Sequence, residues 1–319
     1  MTVAWVVGSG GLLGSALCRA LRRGETALFS PAGYFSWTSE IELVPQVAKA
    51  VQDFAARVVG ANRWEIYWAA GVGAMSSAET ALAAETRILS ALLRLIESTP
   101  LLMAMPGALS FASSAGAIYA GSSDYIVTEN TVPVPTTAYA REKLVQEEIV
   151  RSFVRANGRV SALIARFSTL YGPGQSLEKQ QGLLTHIARC TLKNIPVRIY
   201  VPFDSIRDYI TSDDAAARMI SALRATIGIQ RLQVKIIASE QPVTIAKIIA
   251  TFGSVARRHV RVITSASKLS DIYPRRVCFQ STSVPVDRSS PRTSLLIGIA
   301  QVMASERVTL MRSWHTSAK

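Results

Sequence analysis

The chain has 319 residues, 49% hydrophobic and 18% charged, and 35 basic against 22 acidic side chains give it a formal net charge of +13. Such a chain can bury a full core in one large domain or two unequal ones, and its composition suits a compact, well-buried α/β protein. Three scattered cysteines, Cys18, Cys190 and Cys278, form neither a disulfide framework nor a metal site, so no metal and a reducing, cytoplasmic setting are expected.

The positive charge is spread without a long basic run or a basic–aromatic motif. No nucleic-acid partner is therefore expected, and a basic pocket equally suits an anionic small substrate.

"VAWVVGSGGLLGSALCRALRRG" reads as an apolar strand, a glycine turn, a helix and a stop at Gly24. No basic residue precedes the apolar run, which argues against a leader peptide. The turn, Gly8, Ser9, Gly10, Gly11, Leu12, Leu13 and Gly14, has the form that lets backbone N–H groups approach a pyrophosphate at a helix N-terminus. A glycine triplet by itself would also serve a structural turn. "ETALFS" is a short second strand. An acid for the adenosine ribose would fall about 20 residues after the turn. That window, Leu28 to Ala32, holds Ser30 and no carboxylate. A carboxylate would repel a ribose 2′-phosphate, so the expectation is NAD(P) with a lean to NADP. Arg22 and Arg23 could reach that phosphate or be solvated helix-end charges.

"IELVPQVAKAVQDFAARVV" has helical spacing, "WEIYWAAG" is a strand, and "AETALAAETRILSALLRLIES" is a strongly amphipathic helix. The apolar stretch from Ile88 to Leu109 is broken by Arg94, Glu97, Pro100 and Pro106, which excludes a membrane span there. "ALSFASSAGAIYAG" is a strand running into a loop, "AYAREKLVQEEIVRSFVRANG" a helix stopped by Gly158, and "RVSALIARFSTLYGPG" a strand ending in a tight turn. The alternation predicts a Rossmann-type, doubly wound parallel sheet.

"GLLTHIARCTLKN" is a further helix, "RDYITSDDAAARMISALRA" a loop leading into a helix, and "LQVKIIAS" one more sheet strand. Asp208 and Asp213 are expected to pair with neighbours and cap that helix. The rest is mixed and ends in a polar tail, "RSWHTSAK", expected to fray. The expected division is a dinucleotide-binding domain over 1–168 with a returning segment at about 204–238, and a smaller C-terminal substrate-binding domain from 169–203 and 239–319.

Tyr139 and Lys143 stand at i,i+4 on one face of the helix that starts "AYAREK". A nearby cation favours the phenolate, so the tyrosine is expected to ionise below its usual value of about 10.

Together, "GSGGLLG", a fourth-strand "WAAG", "FASSAGAIY", "AYAREK", "ARFSTLYGPGQ" and "RDYITSDDAA", in this order, resemble the extended short-chain dehydrogenase/reductases, specifically the NAD-dependent epimerase/dehydratase group acting on nucleotide sugars. The resemblance implies that Tyr139 is the general acid/base, that Lys143 lowers its pKa and holds the nicotinamide ribose, and that Ser114 polarises the substrate oxygen, with Ser113 the alternative. It adds Ala69, Ala70, Gly71, Ser30 and Phe167 to the cofactor-binding residues, and Ser113, Thr169 and Arg207 to those that meet a nucleotide-sugar substrate. Thr169 stands where the family's "Arg-x-x-Asn-x-Tyr-Gly-Pro" turn has asparagine, and Arg207 is the candidate for the diphosphate. Sugar dehydratases of the family follow the catalytic threonine with an Asp-Glu pair. Ala115, Gly116 and Ala117 follow Ser114 here, which points away from dehydration and towards 4-epimerisation or keto-sugar reduction. The resemblance also implies a homodimer through a four-helix bundle built from "AETRILSALLRLIES" and "AYAREKLVQEEIVRSF", both of which read as apolar enough to cover the sheet and a partner.

Overall fold

A computed structural model describes residues 1–37, 39–71, 77–175, 182–264, 276–283 and 292–317, the side chains from 313 onward lying outside it. In chain order the elements begin with β1 (Thr2–Val7), α1 (Leu12–Arg22), β2 (Thr26–Phe29), α2 (Glu40–Arg57), β3 (Arg63–Trp68), α3 (Glu79–Glu97) and a short α4 (Pro100–Ala104). β4 (Gly107–Ser114) runs into one turn of helix, α5 (Ala115–Ile118), and then come α6 (Ala138–Ala156), β5 (Val160–Phe167) and β6 (Thr169–Tyr171). The remainder is α7 (Leu183–Lys193), β7 (Val197–Ile199), β8 (Ile206–Arg207), β9 (Tyr209–Thr211), α8 (Ser212–Thr226) and β10 (Leu232–Ile237). The chain closes with β11 (Val243–Thr244), α9 (Ile245–Ala256), β12 (Val262–Thr264) and α10 (Leu295–Ser317).

Six strands form the central sheet in the order β10-β5-β4-β3-β1-β2, all parallel. Their near-continuous apolar runs are buried on both faces, as an all-parallel sheet requires. α2, α3 and α6 cover one face around Trp5, Phe54, Trp64, Trp68 and Phe111, while α1 and α8 cover the other around Leu17, Tyr67 and Met219. The strand that ends in "WAAG" is third in the chain, not fourth as the resemblance implies, because only a helix lies between it and β2. The strand order therefore reverses between β1 and β3, and the crevice at their carboxyl ends is where doubly wound sheets take ligands.

A separate apolar cluster joins α7, α9 and α10 around Leu184, Ile187, Ile248, Phe252, Ile299 and Val302. It meets the end of β6 through Gly298, where an added Cβ would fall 2.0 Å from the Tyr171 hydroxyl. Pro45 sits inside α2, and the carbonyl it leaves unpaired belongs to Ile41, a residue 89% exposed, where water can serve it.

Three details depart from the sequence reading. β4 passes into α5 rather than a loop. α8 is capped by Thr211, whose hydroxyl accepts from Asp214 N, while Asp213 pairs with Arg19 on α1 at 2.6 Å. α10 continues as helix to Ser317, so the tail's backbone is helical through most of its length.

Candidate active site

The site is assembled where β1 and β3 diverge. Gly8 has φ +87°, and a Cβ there would stand 2.5 Å from the Ala70 backbone nitrogen, so the turn after β1 lies directly on the end of β3. Ala69 N also donates to the Val7 carbonyl at 2.9 Å. Gly14 is needed for packing, since its Cβ would lie 2.0 Å from the Gly8 oxygen. The middle of the turn differs: a Cβ on Gly10 would meet no heavy atom within 4 Å, and one on Gly11 only the Gly8 oxygen at 3.4 Å. Gly11 is also the N-cap of α1, which has no side-chain cap and no acid in its first turn, where Leu12 and Leu13 lie. Uncapped helix N–H groups beside open space, free of negative charge, fit a dinucleotide phosphate. Ser30 follows the last residue of β2 and is exposed.

Ser114 is the last residue of β4, and Tyr139 lies in the first turn of α6, whose N-terminus Thr137 caps by accepting from Ala140 N. The Ser114 hydroxyl is hydrogen-bonded to the Tyr139 phenol. Lys143 Nζ lies 5.7 Å from the centre of the Tyr139 ring and 5.2 Å from that of Phe111. Sequence reasoning expects Lys143 to make this phenol more acidic. The net effect is the reverse: burial raises the phenol's pKa most, Glu85 adds to that, and Lys143 and the Ser114 hydrogen bond pull it down without offsetting the rise.

Glu85, on α3, is a residue that the sequence reading missed. Its Oε1 accepts from Lys143 Nζ at 2.8 Å, and both side chains are only 6% exposed. Gln146 Oε1 accepts from the same ammonium at 2.9 Å, and Gln146 Nε2 donates to Glu85 at 3.3 Å and to Thr86 at 2.9 Å. Thr86 in turn donates to Glu142. A Cβ on Gly71, just past β3, would lie 3.3 Å from the Glu85 carboxylate. An unbroken series of contacts therefore runs from the glycine turn through Ala70 and Gly71 to Glu85, Lys143 and Tyr139.

Ser113 points the other way, as strand alternation demands. Its hydroxyl donates to Glu147 at 2.7 Å inside a buried group. There Arg166 donates to both Glu147 oxygens, at 2.8 and 2.6 Å, and also to the Tyr119 hydroxyl. Phe167 ends β5 opposite Ser114 and is 3% exposed. Thr169, exposed, pairs with Tyr209, while Arg207 on β8 donates to the Ile206 carbonyl. These two stand on the small β6–β9 and β8–β11 pairings rather than on the central sheet. Asp208 ties that region to the end of β10, accepting from Ser239 N and Oγ at 2.8 Å each and from Gln241 N at 3.2 Å. Trp68 is a core residue, 1% exposed.

Among the described residues no cluster of three or more His, Cys, Asp or Glu side chains could hold a metal ion, and no helix is long and apolar enough to cross a membrane.

The NAD dependent epimerase/dehydratase family matches residues 4–232. The dTDP-4-dehydro-6-deoxyglucose reductase of Escherichia coli is 32% identical over 114 residues, 35% of this chain and 35% of that protein. The dTDP-L-rhamnose 4-epimerase of Burkholderia thailandensis is 30% identical over 96 residues, 30% of this chain and 26% of that protein. The matched segments thus span about a third or less of these relatives. Among solved structures, the UDP-glucose 4-epimerase of Thermus thermophilus, complexed with NAD, superposes with a TM-score of 0.76 at 18% identity, over 96% of this chain and 99% of that one. RMD from Pseudomonas aeruginosa, complexed with NADPH, gives 0.73 at 17% identity, over 96% and 100%. At such identities these two speak for the fold. The family match covers most of the chain, and its residues include the glycine turn and the Tyr139–Lys143 helix: the chain belongs to the NAD-dependent epimerase/dehydratase family.

Proposed function

We propose that the chain is an NAD(P)-dependent nucleotide-sugar epimerase that oxidises its substrate transiently to a keto-sugar and returns the hydride. The observation that carries this reading is the contact series that joins the glycine turn to Lys143, Tyr139 and Ser114. A bound nicotinamide supplies the position where hydride is held and given back. The chain's own part is the proton. Tyr139 takes it from, or gives it to, the sugar oxygen, Ser114 orients that oxygen, and Lys143 fixes the charge beside them. Arg207 and Thr169 are assigned to the substrate's nucleotide end, Arg207 by the fit of a guanidinium to phosphate oxygens. The substrate-binding part is read as 169–203 with 239–319.

One observation favours a second reading, reduction of a nucleotide keto-sugar. A protonated Tyr139 phenol hydrogen-bonded by Ser114 is placed to give its proton to a carbonyl oxygen, as reduction needs. Dehydration is disfavoured because Ala115 and Gly116, neither of which carries a carboxylate, open α5 where the acid–base pair would be needed.

The lean to NADP rests on the absence of a carboxylate at Ser30 and its neighbours. A cytoplasmic setting is inferred from three cysteines that are all free and buried. A homodimer through α3 and α6 is also part of the reading.

Purified protein incubated with a panel of nucleotide 4-keto-sugars and NADPH, followed by absorbance, tests it. An epimerase turns over with tightly held cofactor and none added, whereas a reductase consumes NADPH stoichiometrically. Tyr139→Phe is expected to lower kcat by about 10²–10⁴-fold. Undiminished turnover by that variant would refute the reading.

A further inference from the structure

We infer that Glu85 is a positioning residue: it holds Lys143 by its ammonium and offsets part of that charge beside Tyr139. The catalytic meaning of this rests on the reading above; its test does not.

The geometry is specific. Lys143 reaches the site between two acceptors, Glu85 Oε1 at 2.8 Å and Gln146 Oε1 at 2.9 Å. Gln146 bonds Glu85 as well, so two linked side chains, one from each of two helices, lock the Lys143 amine in place. Burial of both ionic partners to 6% exposure means that water screens the pair weakly. The groups acting on the phenol are Lys143 from α6, Glu85 from α3 and the Ser114 hydroxyl from β4, and Glu147 acts in turn on Lys143.

Tyr139, Lys143 and Glu85 therefore form one electrostatically linked set. With a neutral phenol, an ammonium and a carboxylate, the set carries no net charge. Without the carboxylate it carries one positive charge in a buried place, and its first proton leaves at lower pH. Glu85 thus offsets part of Lys143's pull on the phenol. The site's own carboxylate, together with burial, raises the pH at which the phenol ionises.

The test needs no substrate. Phenolate absorbance is titrated in the wild type and in Tyr139→Phe, whose difference isolates one of the chain's nine tyrosines. The same pair is measured in a Glu85→Gln background. The midpoint assigned to Tyr139 should fall by about one unit or more when the carboxylate is lost. A midpoint that stays or rises overturns the proposal, even if the variant is less heat-stable, since a merely structural role would move the melting temperature alone. If Glu85→Gln cannot be purified folded, Glu85→Asp, which sets the carboxylate back by one methylene, should give a smaller fall in the same direction, and no fall overturns the inference. With a turned-over keto-sugar, the kcat–pH profile should move down by the same amount. If the wild type turns over no nucleotide sugar, the functional reading fails while the titration still decides the role of Glu85.

Discussion

At the scale of single residues, the charges that matter most are buried in pairs. Glu147 is fully buried and receives Arg166, Arg151 and Ser113 on its two oxygens. Glu147→Gln leaves the Arg166 guanidinium without its carboxylate, and removing one member of a buried ion pair costs about 3–5 kcal/mol. Urea unfolding should show that loss, and a variant within about 1 kcal/mol of wild type would contradict the geometry. Part of this layer could be read in the sequence, because Tyr139 and Lys143 stand on one helix face, whereas Ser114, well before them in the chain on β4, is reached only through the family resemblance. Glu147 could also have been found, since it stands four residues after Lys143 on the same face. Glu85 could not: it reaches Lys143 from another helix, and in its own stretch it looks like one more solvated charge.

At the scale of elements, the glycine turn separates two roles that its spacing alone does not. Gly14 is fixed by the chain's own packing, so Gly14→Ala should destabilise the fold by about 1–3 kcal/mol or more through overpacking. Gly11 has φ −77°, which alanine adopts freely, and room for a methyl group. Gly11→Ala should therefore melt near the wild-type temperature yet bind dinucleotide at least about tenfold more weakly, or about 1.4 kcal/mol. Calorimetry and equilibrium dialysis on the two variants distinguish these outcomes.

The edge strand shows a second element-level device. Glu129 accepts from Ile236 N at 2.8 Å on β10, and from Ser281 Oγ at 2.6 Å and Thr282 N at 2.7 Å in the segment that runs beside it. Burial alone would raise this carboxyl, but the hydrogen bonds from Ser281, Ile236 and Thr282 outweigh it and hold its pKa below the usual carboxylate range. A depressed carboxyl stabilises the fold above its unfolded value of about 4.3, and that contribution is lost as pH falls through the lower folded value. The melting-temperature gap between wild type and Glu129→Gln should thus be full at pH 7 and close below about pH 4. The sequence reading placed β10 but not the strap beside it. Residues 277–283 have no periodic pattern, and only the fold brings Glu129 to them.

At the scale of the whole molecule, helices α3 and α6 bear on assembly. The large apolar residues of α3 are spent on the sheet, and Val145 is the one large apolar side chain that α6 exposes among the described residues, at 48%. The outer surface otherwise carries exposed charges, including Arg87 paired with Glu40 and Arg155 paired with Glu148. The sequence reading allowed these helices enough apolar surface for both the sheet and a partner; the structure supports only the first. A dimer through this surface should consequently be held by charge and weaken with salt. Sedimentation at micromolar concentration in low and high salt checks this, and a monomer at every ionic strength would remove the dimer from the functional reading.

The sheet's two borders have a consequence for how the protein behaves in company. β2 is only four residues long, and the outward backbone of β10 is already engaged, Ile236 N by Glu129 and the Val234 carbonyl by Ser283. A crowded solution thus finds little bare strand on which one molecule could template another, and short or covered margins of this kind protect parallel sheets from joining side by side. Glu129→Gln weakens that cover, so light scattering from concentrated protein should rise in the variant at pH 7 before any loss of helix signal.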